Sequence, residues 1–131
     1  MKHIVVPADI ILHARNGERV MAVDENKNRK PYDPIVFGVF LFDAVCNSPH
    51  LGKGSEAARR VRKLEKLLLE AKYGDIIAIE DADYKVVEQV ITEIAWPYPA
   101  LSGQFLPFIE AIEAAAKQDD DWRKKQNMKA V

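Results

Sequence analysis

Pro34-Ile-Val-Phe-Gly-Val-Phe-Leu-Phe-Asp-Ala-Val-Cys46 is the stretch whose reading decides the fold. Its only charge is Asp43, and nearly every other side chain is apolar. A surface helix carries one apolar stripe, so a helix apolar on all sides is either enclosed or turned toward a partner. With 13 residues it is too short to span a bilayer. The spacing predicts a buried central helix or part of an association surface. Asp33 and Pro34 before it read as N-cap and first helical position.

Working outward, the segments on either side alternate between strand and helix signals. Ile4–Val6 and Ile10–Ala14 read as strands, broken at Pro7. Asn16-Gly17 is a hairpin turn signal, since both residues tolerate positive φ. Glu18–Val23 returns as the partner strand, and Asp24–Lys30 reads as a charged loop. After the central helix, Asn47–Gly54 reads as loop, with Ser55 able to cap the next helix. That helix runs to about Lys72, with Ala57, Val61, Leu64, Leu68 and Ala71 on one stripe. Asp75–Ile79 reads as a short strand. Asp81 caps a third helix whose apolar face is Tyr84, Val87, Ile91 and Ile94. Gly103–Lys117 forms a fourth, with Phe105, Phe108, Ile109, Ile112 and Ala116 inward and Pro107 confined to its first turn. The prediction is a single α+β domain over residues 1–118. A small antiparallel hairpin or sheet packs with about four helices. Residues 119–131 form a charged tail, docked on a partner or folded as a short helix.

Composition narrows the function classes. The chain has 131 residues, 48% hydrophobic and 30% charged, the proportions of a folded domain large enough to bury a core. A net charge of −1 argues against a nucleic-acid binder working through overall charge. One cysteine allows no internal disulfide. MKHIVVPADIIL is interrupted by Pro7 and Asp9 and is not a signal peptide. The compartment expected is therefore the cytoplasm, with no membrane association.

The chemical motifs each fall short. Asp24, Asn26 and Asn28 have the spacing that opens a calcium loop, but Arg29 and Ile35 stand where Gly and an acidic ligand are required. Gly52-Lys53-Gly54-Ser55 precedes a helix, but its order is not that of a phosphate loop. Cys46 and His50 are separated by Pro49, and no third group is in view to orient a base. His3 and His13, the other histidines, complete no zinc-ligand spacing. Glu80, Asp81 and Asp83 are explained by the helix N-terminus they occupy. No cofactor or metal is expected, and no catalytic residue is named.

Two surfaces stay open as binding candidates. Lys53, Arg59, Arg60, Arg62, Lys63 and Lys66 make a basic face on helix 55–72, which suits phosphates but lacks aromatics to stack on bases. Phe40 and Phe42 on the apolar helix, Trp96 and Tyr98 at the Pro97–Pro99 corner and Trp122 in the tail are the candidates for protein contact; at the corner, aromatic rings beside prolines form rigid anchors. Trp96-Pro-Tyr98-Pro is equally readable as a corner that plugs the core.

The order of these segments resembles the small accessory proteins of tailed bacteriophages. A hairpin leads through a charged loop into KPYDPIVFGVFLFDAV. A basic helix then leads to GDIIAIEDADYKVVEQVI, and YPALSGQFLPFIEAI closes the core. The resemblance covers residues 15–116 and lies in layout. It implies a non-enzymatic protein of virion structure or assembly, partnering itself or phage structural proteins, located in the host cytoplasm or the virion. Residues beyond Gln118 have no counterpart in it. Two alternatives stand beside it: a nucleic-acid-associated regulator using the basic helix, and an inhibitor docking on a host or defence protein.

Overall fold

The computed structural model describes residues 1–96 and 99–118. The described elements run β1 (Lys2–Val5), β2 (Met21–Val23), β3 (Arg29–Pro31), α1 (Phe37–Cys46), α2 (Gly54–Leu69), β4 (Ile76–Ile79), α3 (Asp81–Glu93) and α4 (Leu106–Ala116). Short 3-10 turns at Pro49–Leu51 and Pro99–Phe105 precede α2 and α4. The architecture is α+β, with two separate two-stranded antiparallel sheets, β1-β4 and β2-β3.

The first sheet joins segments far apart in sequence. Val5 lies opposite Ile76 and His3 opposite Ala78. Ile4, Ile77 and Ile79 face inward and are buried, while Val5 and Ile76 lie exposed on the other face. That division follows the alternation of side chains along a strand. The outer edge of β1 is clasped by a side chain. The His3 N–H donates to Gln118 Oε1 at 2.8 Å, and Gln118 Nε2 donates to the His3 carbonyl at 2.6 Å. Gln104 treats His13 alike, accepting from its N–H at 2.9 Å and donating to its carbonyl at 2.7 Å. A primary amide offers the donor–acceptor pair that a neighbouring strand would offer.

The second sheet corrects the sequence reading. Ile10–Ala14 is not a strand; it contributes only isolated bridges, Ile10 to Ile35 and His13 to Arg19. The Asn16-Gly17 turn does form, with Gly17 at φ +87° and its N–H donating to the Ala14 carbonyl. The charged segment 24–30, however, is a second hairpin. Asp24 Oδ1 accepts from the backbone N–H groups of Asn26 at 2.9 Å and Asn28 at 2.8 Å. Lys27 takes φ +63° at the tip. An aspartate that satisfies the amides of its own turn nucleates a hairpin without any apolar residue. β2 and β3 then pair from Met21–Pro31 to Val23–Arg29.

The helices agree in number and face, and differ at their starts. α1 begins at Phe37 because Ile35 exchanges both backbone bonds with Ile10, at 2.9 and 2.8 Å, which holds the chain extended. Asp33 therefore caps nothing. α2 begins at Gly54, with Lys53 rather than Ser55 at the cap position. α3 is capped in position by Glu80, and Asp81 instead ion-pairs with the Met1 amino group at 3.0 Å. On α4 the buried small residue is Ala115, not Ala116, and Pro107 sits in the first turn as expected.

One hydrophobic cluster joins β1, β4 and all four helices. Its centre is Phe37, Leu41, Leu64, Leu68, Phe108 and Ile112, each at most 1% exposed. α1 and α2 meet at Gly38, where a Cβ would stand 1.8 Å from the Leu68 carbonyl oxygen. Only glycine allows that approach.

Candidate interaction surface

α1 is enclosed on three sides rather than all round. Phe37, Gly38, Leu41 and Val45 are buried, and Phe40, Phe42 and Ala44 pack half-buried on the core. Val36 and Val39 remain exposed, at 36% and 44%, beside the exposed Asp43 and Cys46. The apolar excess legible in the sequence therefore resolves into a buried majority and a narrow outward stripe.

The aromatic candidates divide in the same way. Phe40 and Trp96 stack at 6.0 Å with ring planes 8° apart, and both close on Phe105 at 5.2 and 4.9 Å. Ring pairs at these separations are mutually attractive beyond their area burial. Phe40, Phe42 and Trp96 are thus partly buried wedges at the core's margin. Tyr98 and Trp122 lie outside the described residues.

The basic face of α2 is interrupted by intramolecular pairing. Arg60 Nε donates to Asp83 Oδ1 at 2.8 Å, with the two side chains 13% and 8% exposed. Arg60 also reaches Glu56 at 3.6 Å and the Leu51 carbonyl at 3.3 Å. Lys63 Nζ meets Glu80 at 3.0 Å. Arg59, Arg62 and Lys66 are exposed, as is Lys53 at the cap position. Arg62 and Lys66 share their surface with Glu65 and Glu70, so the sign of charge alternates there.

Cys46 and His50 do not combine. His50 ion-pairs with Glu93. The Cys46 thiol is pushed up by partial burial and then by the negative charges of Asp43 and Glu65. That is opposite to the shift that makes a thiolate nucleophile. Among the described residues, no group of three or more His, Cys, Asp or Glu side chains is placed to hold a metal. No described helix is long and apolar enough to cross a membrane.

Two features were not foreseen from sequence. The first is the β2–β3 arm. Five of its six residues are exposed and Ala22 is half-buried. Met21, Val23 and the following Tyr32 are 41%, 67% and 43% exposed. The Asp24-x-Asn-x-Asn spacing was the available signal, readable as a turn instead of a failed calcium loop. The second is a groove of about 530 Å³ between α3 and α4, floored by Tyr84, Ile91, Ile109 and Ile112 and rimmed by Glu88 and Glu113. The Tyr84 hydroxyl donates to the Ile112 carbonyl at 2.6 Å. Its pKa is pushed up to about 12, first by burial and then by Glu88 and Glu113.

Against known proteins the chain stands apart: no family model matches it, and no curated protein or solved structure matches it.

Proposed function

We propose that this chain is a non-enzymatic interaction protein of the tailed-phage accessory type, acting in virion structure or assembly. It associates with itself or docks on a larger complex. The observation that carries this reading is the β2–β3 arm. A two-stranded hairpin with no buried face is marginal in water, because three strands or a packed face are needed for independent stability. Here the arm instead presents Met21, Val23 and Tyr32 outward, together with outer strand edges that pair with no further strand among the described residues and that another strand can extend. The outward Val36, at the cap position before α1, and Val39 of α1 supply apolar area of the same kind. Single exposed apolar residues mean little, but a poorly supported arm carrying several is a surface that gains order on binding.

Light scattering of the full chain over a concentration series tests this. Self-association gives a mass above that of one chain at the highest concentrations. Met21→Asp combined with Val23→Asp returns it to the monomer without changing the helical signal. A mass indifferent to these substitutions removes the arm from self-association. Absence of the protein from purified particles, and from assembly intermediates of a producing phage, would sink the assembly role.

A further inference from the structure

We infer that the outer edge of β4 receives the β2–β3 arm of a second copy, so that β3 of one chain continues the β1–β4 sheet of the next. The inference rests on the arm's role in association proposed above and adds the surface that accepts it.

The direction of the backbone bonds identifies the open edge. The Val6 N–H donates to the Asp75 carbonyl at 2.8 Å, and the register sets Ile4 opposite Ile77 and Lys2 opposite Ile79. His3, between them, turns its N–H and carbonyl the other way, to Gln118. Alternate residues of a strand address opposite edges. Ile76 and Ala78 therefore point their backbone groups away from β1, and so does the Glu80 N–H. Among the described residues no further strand lies on that side. The segment Ile76-Ile-Ala-Ile79 also lacks the devices that close an edge, which are charge, proline, a bulge or a cover. β1, by contrast, has the Gln118 amide over its outer edge.

The arm carries the complement. The Asp24 N–H donates to the Asn28 carbonyl at 3.0 Å and the Tyr32 N–H to the Val20 carbonyl at 2.8 Å, with Ala22 opposite Lys30 between them. Arg29 and Pro31 of β3 thus face outward. They offer two carbonyls but one N–H, since proline has none. β4 has the opposite surplus, with N–H groups at 76, 78 and 80 and carbonyls at 76 and 78. Antiparallel pairing of Pro31 with Ile76 and of Arg29 with Ala78 uses every outward group of β3. It leaves the Ile76 carbonyl and the Glu80 N–H to water.

The same register aligns the side chains. Val5 is opposite Ile76 within one sheet and Met21 opposite Pro31 within the other. The joined sheet therefore carries an apolar row of Val5, Ile76, Pro31 and Met21, each exposed in the single chain. Cross-strand neighbours of this kind stabilise a sheet. Arg29 of the second copy falls diagonally beside Glu80, whose side chain is 57% exposed although it pairs with Lys63. Arm and edge are different surfaces, so the contact is head-to-tail and repeats into a ring or a filament.

Disulfide trapping between full chains tests the register. Cys46→Ser removes the one native thiol. One such chain then carries Ile76→Cys, and an isotope-labelled chain carries Pro31→Cys. Antiparallel partners of this type lie about 5.5 Å apart at Cα, within disulfide range. Mild oxidation of the mixture is read by mass. The expected 76–31 dimer exceeds both symmetric dimers several-fold, and a statistical distribution or an excess of symmetric dimers overturns the inference. Light scattering of Ile76→Lys gives a second reading. A charge on the edge should lower the mass to that of one chain, as Met21→Asp with Val23→Asp does, with the helical signal unchanged. Association that survives Ile76→Lys but not the arm substitutions overturns the inference and leaves the arm's role standing. A chain monomeric at every concentration overturns it and confines the arm to a foreign partner.

Discussion

Gly38 and Arg60 are the two residues on which the packing turns. Gly38 admits the Leu68 carbonyl into van der Waals contact, and an added Cβ would meet that oxygen at 1.8 Å. Backbone cannot yield as a side-chain tip can, so Gly38→Ala must separate α1 from α2. The expected loss is about 3 kcal/mol, the upper end for overpacking, read from urea unfolding. Arg60 is different in kind. It is a charge held at the inner margin of α2, matched to Asp83 at 2.8 Å. Removing one member of such a pair leaves the other buried and uncompensated. Arg60→Ala should therefore cost about 3 kcal/mol, while Arg59→Ala, on the exposed face, should be close to neutral in the same assay. The sequence grouped both arginines as one basic face, because composition records charge and not its partner. Position 60 is distinguished by the carboxylate that α3 brings to it from 23 residues away.

At the level of elements, β2–β3 depends on Asp24. Its carboxylate holds two backbone N–H groups of the turn, and no apolar face supports the strands. Asp24→Ala should therefore raise hydrogen exchange across 21–31 sharply, while global unfolding moves by less than about 1 kcal/mol. An equal loss at both scales would mean that the arm is part of the cooperative core. Elements with strong periodicity were legible in advance. Within the predicted stripes Ala57, Leu64 and Leu68 of α2 and Tyr84, Val87 and Ile91 of α3 are buried, while Val61 is half-buried and Ala71 and Ile94 fall beyond the helix ends. Strand pairing was not legible. β1 reaches β4 across more than 70 positions, and Gln118 reaches His3 across 115. No local pattern encodes such partners. The candidate site divides similarly. The apolar excess of α1 was legible in its composition but not which of its positions stay outward, and the groove required knowing which faces of α3 and α4 meet.

For the molecule as a whole, Tyr84 links stability to pH. Its folded pKa, about 12, lies above the ordinary tyrosine value of 10.0. Below pH 10 both folded and unfolded chains hold the proton, and the phenol's contribution is fully present. Between pH 10 and 12 the unfolded chain releases the proton first, so stability falls as pH rises. Urea midpoints should decline over that window. Tyr84→Phe should be less stable at neutral pH, by about 1 kcal/mol for the lost hydrogen bond, yet show a shallower decline. Parallel slopes in the two proteins would place the alkaline sensitivity elsewhere.

The Gln118–His3 clasp also sets a timetable. During synthesis β1 leaves the ribosome early, but its partner β4 follows some 70 residues later, and the amide that closes its other edge comes later still. Through that interval Ile4-Val5-Val6 has neither its strand partner nor its edge cover. Contacts this distant in sequence form slowly, and an unpaired apolar strand is a target for chaperones and for aggregation alike. The native sheet is therefore a late event in the life of the nascent chain, completed only when residue 118 has emerged.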